Sequence, residues 1–597
     1  MTDQPAATEP TRQSTLQAFA AYLRPKPLIM LSLGYATGIP YLLIGDTLNA
    51  WLRVDGVSLQ VVGFFILVSF AYTLKFMWAP LVDRIDIPVL TKRMGHRRSW
   101  MIVLQLLMAA GLLGIAATDP KTQLVQMALF ATVTGFFGAT HDIVLDAYRI
   151  ELADDVEEMG VMTAAYQWGF RIAFLISGVV PLLLATRVGW PIAYAVMALM
   201  LLIGWITVWL APRGRPHNPR PIHTEGLPVR RAAEGFEWVL RGLLIVIAAL
   251  IMGSGLTGSA DLINGVLGVL HIGTDAQTFF KTAFTSKTTG WLLQIPFAVG
   301  GLALMIGACV PLPWPTRPGA YFQGAFIAPL ADFFRRFHKW AAFIFILICI
   351  YRISEFTLNI ANAYYIDLGF SLDAVADMRK VYGTLMTMVG VVISGWLIVR
   401  LGIRKSLVVG AIVGPFSHLG FMYLATQGHS LTTLIAHWGS HGEPLTISLP
   451  LASALALDNI AASIQGTVLI AYMSTLVSPQ YTAPQYAIFS SFYAILGKMV
   501  ASQSGRIVEA SAKSADAGGL PGLFKGLMGR LSPDAYVGAA KKLGVSVQAM
   551  GAGYFSFFAY TIVVGFVAIA MAIWLYIRYR PSAEELAAEA AKSSTPA

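Results

Sequence analysis

The run Thr140-His141-Asp142-Ile143-Val144-Leu145-Asp146-Ala147-Tyr148-Arg149 lies in an apolar stretch, and a helix there stacks two carboxylates and a guanidinium on one face. Charge inside an apolar span is expensive and calls for a partner, a water-filled cavity or a task. One such task is to carry a proton, since occlusion of a carboxylate disfavours its ionised form. Asp142, with His141 beside it, suits that task. If Arg149 marks the inner surface, Asp142 lies about 10 Å deep at the helical rise. Asp146 then sits at the membrane edge, within reach of Arg149 or a loop base. The structural alternative is a permanent pairing of Asp142 with Arg171 or Lys75.

Four further groups belong to the same inventory. Gln167-Trp168-Gly169-Phe170-Arg171 places a guanidinium roughly 18 Å in from Glu158. An Arg at that depth pairs with a carboxylate, Asp142 included, or receives an anionic substrate. Arg352 and Glu355 stand three residues apart in a later apolar run, spaced to neutralise each other. Asp458-Asn459 interrupts another such run, and Lys75 lies close enough to the inner face for its ammonium to reach water. The proton-coupling candidates are Asp142, Glu355 and Asp458; the substrate-binding candidates are Arg171, Gln167, Lys75, Asn459 and Tyr166.

These residues need scaffolding that composition defines. Of 597 residues, 56% are hydrophobic and 12% charged, with a mean hydropathy of +0.65. A soluble chain of this size carries about a quarter charged residues, so a soluble enzyme or nucleic-acid-binding domain is excluded. Apolar runs of helix-spanning length recur, whereas the alternating pattern of barrel strands does not. Spans fall near 27–52, 58–80, 99–117, 121–148, 159–185 and 189–211, then 236–257 and 288–311. Six more fall near 340–366, 378–399, 406–426, 450–476, 484–508 and 553–578. The fold class is therefore an all-α membrane protein of two six-helix bundles with two extra transmembrane helices between them. That is the layout of a two-bundle secondary transporter.

The expected divisions are an N-terminal tail 1–26, a six-helix bundle 27–211, a basic linker 212–235 and the extra pair 236–311. A linker 312–339 containing an interfacial helix follows, then a second bundle 340–580 and a tail 581–597. Net charge is +10, and Lys and Arg gather in alternate loops, which places both termini in the cytoplasm of an inner-membrane protein. Segment 511–552, with Lys513, Lys525, Arg530, Lys541 and Lys542, is the exception on the outer side. Cys309 and Cys349 sit in apolar runs and make neither a disulfide framework nor a metal site. No phosphate-binding loop, nucleophile elbow or HExxH run occurs, so the chain reads as no enzyme and no ATP-driven pump, with no cofactor or metal.

After span two come Asp83-Arg84 and the basic group Lys92-Arg93…Arg97-Arg98, and after its counterpart comes Arg400-Leu401-Gly402-Ile403-Arg404-Lys405. This echo resembles the loop 2–3 motif of the major facilitator superfamily, a cytoplasmic latch; here the latch candidates are Asp83, Arg84, Asp146 and Arg149. Further runs narrow the resemblance: Gly34-Tyr35-Ala36-Thr37-Gly38-Ile39-Pro40, Lys75 to Arg84, Asp142 to Tyr148, Gly169-Phe170-Arg171, Tyr351 to Glu355, Asp458-Asn459, and Thr482-Ala483-Pro484-Gln485-Tyr486-Ala487. Together they are similar to AmpG-type muropeptide permeases.

The resemblance implies a monomer that imports anhydro-muropeptides, driven by protons, from periplasm to cytoplasm. There they feed peptidoglycan recycling and, in some bacteria, β-lactamase induction and antibiotic resistance. It also implies alternating access about a midplane site. Glu355 stands where the family often has Asp, and the pair 236–311 has no counterpart in the shortest members. An acetyl-CoA-type or other sugar or organic-anion transporter is the alternative, although the embedded charges here balance instead of forming a basic cavity.

Overall fold

The computed structural model describes residues 20–55, 70–214, 224, 227, 229–258, 260–269, 271, 273–286, 289–310, 316–356, 360–370, 378–428, 433–436, 445–501 and 503–579. Among them, twelve helices are long and apolar enough to cross a bilayer. The expected second span, 58–80, falls partly outside the described residues. The expected 484–508 span is the helix Thr482–Ala501, bringing the structure close to the fourteen spans read from sequence. Helices dominate because the bilayer core offers no water to backbone groups, so each span satisfies its own. Among the described residues the one departure from an all-α chain is a short antiparallel pair, Thr433–Ala436 with Leu445–Ser448, in register Thr433 to Ser448.

The principal helices are α1 (Pro25–Leu43), α2 (His96–Ala116), α3 (Leu124–Leu152), α4 (Val156–Val188), α5 (Trp190–Met200) and α6 (Leu202–Leu210) in the first half. The extra pair is α7 (Arg231–Thr257) and α8 (Trp291–Cys309), joined through short helices Asp261–Val269 and Thr274–Thr285. The second half comprises α9 (Ala328–Phe337), α10 (Ala341–Ile350), α11 (Thr384–Leu401), α12 (Ile403–Ser417), α13 (Leu449–Thr475), α14 (Thr482–Ala501), α15 (Ser504–Asp516) and α16 (Val547–Arg578).

The same glycine turn recurs at three joints. Gly95 precedes α2 at φ 87° and ψ 161°, Gly189 joins α4 to α5 at φ 88° and ψ 161°, and Gly402 joins α11 to α12 at φ 75° and ψ 160°. Only a residue without Cβ adopts this conformation without strain. Spacing the turn this way marks repeats of three spans. The fourth equivalent joint, between α14 and α16, is filled by α15, a 3-10 helix Leu520–Arg530 and the helix Val537–Leu543. This insert is the basic outer segment of the sequence, and it folds onto the second bundle. Tyr536 N–H donates to the Asp367 carbonyl at 2.5 Å, and Tyr554 O–H donates to the Asp367 carboxylate at 2.6 Å.

Close packing fixes the first bundle. α1 lies along α4, and a Cβ built on Gly169 would stand 1.8 Å from the Leu31 carbonyl oxygen, while one on Gly34 would stand 2.2 Å from that of Tyr166. Small residues permit this approach where lipid supplies no hydrophobic drive between helices. Gly169→Val therefore forces α1 from α4, and thermal unfolding in detergent is expected to show a loss of about 1–3 kcal/mol or more. In this insert, Ser546 donates to the Asp516 carboxylate from its hydroxyl at 2.7 Å and its amide at 3.1 Å, which holds that carboxyl below its ordinary value. A depressed acid contributes stability above its unfolded pKa and loses it as pH falls through the folded one. Protection factors at the start of α16, taken against the intrinsic exchange rate at each pH, are expected to fall as pH drops below about 4, and Ser546→Ala to weaken that dependence while the amide contact remains.

Candidate functional site

Span two is irregular where its charge lies. The helix Phe70–Leu74 tightens to a 3-10 turn over Lys75–Met77 before Ala79–Val82 resumes it. That break delivers the buried Lys75 ammonium between the two acids of α3. It pairs with Asp142 and lies 3.5 Å from Asp146 Oδ2. Tyr166 of α4 donates to the other oxygen of Asp142 at 3.1 Å. Arg149 donates to Asp146 at 3.1 Å and to the Thr163 hydroxyl, and its guanidinium lies over the rings of Tyr166 and Tyr486 at 5.7 and 5.6 Å. Two cations and two anions close into one neutral group, which meets the cost of burying each alone.

Several placements differ from the sequence reading. Asp146 pairs with Arg149, as its spacing predicts, and also with Lys75, with its side chain 7% exposed. The four latch candidates accordingly divide. Asp83 belongs to a separate cluster in which Arg97 bridges Asp83 and Glu151, each at 2.6 Å, while Arg84 is half-buried beside it. Asp146 and Arg149 join Lys75 and Asp142 because α3 turns both toward span two. His141 does not face Asp142 as a partner. Its Nδ1 donates to Thr37 at 2.9 Å, since the Thr37 hydroxyl spends its own proton on the Leu33 carbonyl, and its Nε2 accepts from Gln105 at 3.0 Å. Both ring nitrogens are satisfied with the imidazole neutral.

Arg171 does not pair with Asp142. Among the described residues it has no carboxylate at ion-pair distance; its Nε is buried without a hydrogen-bond partner, and its guanidinium lies 5.8 Å over Phe174. Its charged neighbours are Arg352 and Glu355 of the other bundle. Those two form a direct two-pronged pair at the break between α10 and the turn Ile353–Phe356, with Arg352 6.0 Å over the Tyr493 ring. Asp458 of α13 lies 3.9 Å from the Nε2 of His418. Asn459 is committed within its bundle, donating to the Leu455 carbonyl at 2.8 Å and accepting from Thr387 at 3.1 Å. Gln167, half-buried on α4, has no hydrogen-bond partner among the described residues. No set of three His, Cys, Asp or Glu side chains among those residues is arranged to hold a metal.

The bundles meet along α4 and α11. Moving up α4 and down α11, Gly160 faces Ile398, Ala164 faces Gly395, and Trp168 donates to the Met388 carbonyl at 3.2 Å. Tyr22, ahead of α1, donates to the Val392 carbonyl at 3.2 Å. Span two and α14 meet through Phe76 and Phe492, 6.0 Å apart. These contacts concentrate at the end carrying the basic loops. The helix α9 is tied to the same end, where Gln485 donates to Asp332 at 3.0 Å and Arg336 donates to the Leu476 carbonyl at 2.8 Å. Sequence reasoning missed Thr163, Tyr486, Tyr493, Glu151 and His418. Glu151, two residues beyond Arg149, was the one whose charge could have drawn attention.

The family description "Major Facilitator Superfamily" matches residues 28–501 of this chain. The chain belongs to that superfamily. An Escherichia coli (strain K12) protein named anhydromuropeptide permease is 26% identical over 497 residues, covering 83% of this chain and 76% of its own. A protein of Rickettsia conorii that carries the name AmpG 4 is 25% identical over 479 residues, covering 80% and 88%. These relatives agree with the resemblance read from the motifs. A solved structure of the proton:xylose symporter XylE with 6-bromo-6-deoxy-D-glucose covers 96% of this chain and 99% of its own at 14% identity, with a TM-score of 0.47. As a major facilitator protein the chain is a multi-span membrane transporter.

Removing one cation from the four-charge group leaves an uncompensated buried acid. Lys75→Met is expected to cost about 3–5 kcal/mol in unfolding measurements. Lys75→Met with Asp142→Asn should recover most of that loss, giving a large coupling in a double-mutant cycle.

Proposed function

We propose that this superfamily member imports anhydro-muropeptides from periplasm to cytoplasm, driven by the proton gradient. The observation that carries the reading is the neutral group Lys75–Asp142–Asp146–Arg149, buried against Tyr486 of the opposite bundle. Its charges balance only while both acids are ionised, so a proton on Asp142 frees Lys75 and loosens contacts that bear on the second bundle. The concentration of interbundle contacts at the basic end supports an arrangement closed toward the cytoplasm and suited to loading from outside. In this reading both termini are cytoplasmic and the protein works as a monomer of the inner membrane.

The substrate class comes from the name of the Escherichia coli relative and agrees with the charges between the bundles. Arg171, Arg352 and Glu355 leave one net positive charge in the cleft. An Arg with an unpartnered Nε suits a peptide carboxylate, which it can receive through two parallel hydrogen bonds. Gln167 stands one turn before it, free to bind the sugar or peptide amides. Tyr166, Lys75 and Asn459 shape the walls and keep their partners within the protein.

Uptake of labelled N-acetylglucosaminyl-anhydro-N-acetylmuramyl tripeptide into proteoliposomes tests the reading. Accumulation against its gradient, abolished by a protonophore, is the expected result. Asp142→Asn should retain binding and lose accumulation, and Arg171→Ala should weaken binding by about tenfold or more. Absence of uptake by folded protein rejects the substrate class, and uptake indifferent to the protonophore rejects proton coupling.

A further inference from the structure

His418 closes α12 in the apolar run Pro415-Phe416-Ser417-His418, and it is 1% exposed. Its Nδ1 lies 2.7 Å from the Thr561 hydroxyl of α16. That hydroxyl donates its own proton to the Phe558 carbonyl at 2.6 Å. Thr561 can therefore only accept from the ring, and the Nδ1 must carry the hydrogen. A neutral imidazole with its proton on Nδ1 has a bare, accepting Nε2. This bare nitrogen faces Asp458 Oδ1 at 3.9 Å.

An ionised carboxylate and a bare imidazole nitrogen are both acceptors, and they do not hold each other without a proton between them. We infer that Asp458 and His418 form a one-proton pair, a protonation site of the second bundle separate from the Lys75 group. This deepens the proton-driven reading and rests on it for its role in transport. The proton resides on Asp458 Oδ1 or on His418 Nε2, and with it the pair closes as a hydrogen bond or an ion pair. Without it, two acceptors confront each other in a buried site, which favours their separation.

The surroundings fit a site that exchanges its proton with water. The Asp458 side chain is 18% exposed against 1% for His418, so the acid is the outlet and the imidazole the anchored base. The charged groups around Asp458 are Glu355 and Arg352, just beyond α10, and Arg379, just before α11, with Tyr365 beside them. Apart from Thr561, the ring of His418 meets Phe421 at 6.3 Å. Because Glu355 and Arg352 also neighbour Arg171, a substrate anion held by Arg171 alters the field at this pair. The contrast with His141 is decisive, since both of its nitrogens are satisfied without a further proton.

Infrared spectroscopy of the full chain in lipid vesicles, scanned over pH without substrate, reads the carbonyl stretch of protonated carboxylic acids together with the ring modes of imidazolium, so the proton is seen on either partner. A titrating band that disappears in Asp458→Asn, and whose midpoint moves by about one pH unit in His418→Gln, is the expected result. Thr561→Val releases the tautomer while keeping the imidazole, and it should move the midpoint too. Loss of no band in Asp458→Asn overturns the pair, as does a midpoint that ignores both His418→Gln and Thr561→Val. Failure of muropeptide uptake with this titration intact rejects the substrate class alone.

Discussion

The cost of holding charge inside a low-dielectric core organises this protein. Lys75, Asp142, Asp146 and Arg149 are individually unfavourable there, and they persist because each is within reach of an opposite charge. Meeting that requirement fixes much around it. Span two must break its regular helix at Lys75, α3 must present one face over two turns, and Tyr166 must reach across from α4. Arg149 then carries the group to the bundle interface, where it lies against Tyr486. A local neutrality condition becomes a relation between the two halves of the molecule.

The repeated glycine turn supplies the geometry in which such a relation can change. Gly95, Gly189 and Gly402 set three helix joints to nearly the same dihedral angles, so corresponding spans enter each bundle alike. The fourth joint has been opened to admit an insert tied to Asp367 through Tyr536 and Tyr554. Meanwhile the extra pair α7 and α8 meets itself at small residues, with a Cβ on Gly255 standing 2.3 Å from the Ala298 nitrogen. Arg241 closes that pair at one end by donating to the Ala308 carbonyl at 2.5 Å. Both additions leave the interface of α4 with α11 untouched.

Much of the fold was legible because hydropathy and the positions of charge depend on sequence alone. The spans, a helix ending near Arg335 and Arg336, and the pairing of Arg352 with Glu355 follow from period and spacing. Choosing among partners was another matter. Asp142 had Lys75 and Arg171 as equal candidates, and only the irregular turn at Lys75 separates them, a feature with no marked signal in Tyr72-Thr73-Leu74-Lys75-Phe76. The second partner of Asp146, Lys75, was not foreseen because spacing along one helix says nothing about what a neighbouring span presents to it. His418 was invisible for a similar reason: its partner Thr561 stands 143 residues away.

Two histidines show where chemical meaning enters. In the sequence, His141 adjoins an embedded acid and invites a protonic role, whereas His418 sits among apolar neighbours and draws no reading at all. Hydrogen-bond direction reverses those expectations. Each imidazole points its Nδ1 at a threonine hydroxyl already committed to a helical carbonyl, at Leu33 in one case and Phe558 in the other. The same tautomer therefore follows in both. The difference lies at Nε2, which meets an amide donor on Gln105 for His141 and a carboxylate oxygen of Asp458 for His418. A satisfied acceptor holds helices together; an acceptor facing another acceptor asks for a proton. The proposed pair in the second bundle thus follows from where Thr561 sends its hydrogen, a direction that no reading of His418 and its sequence neighbours supplies.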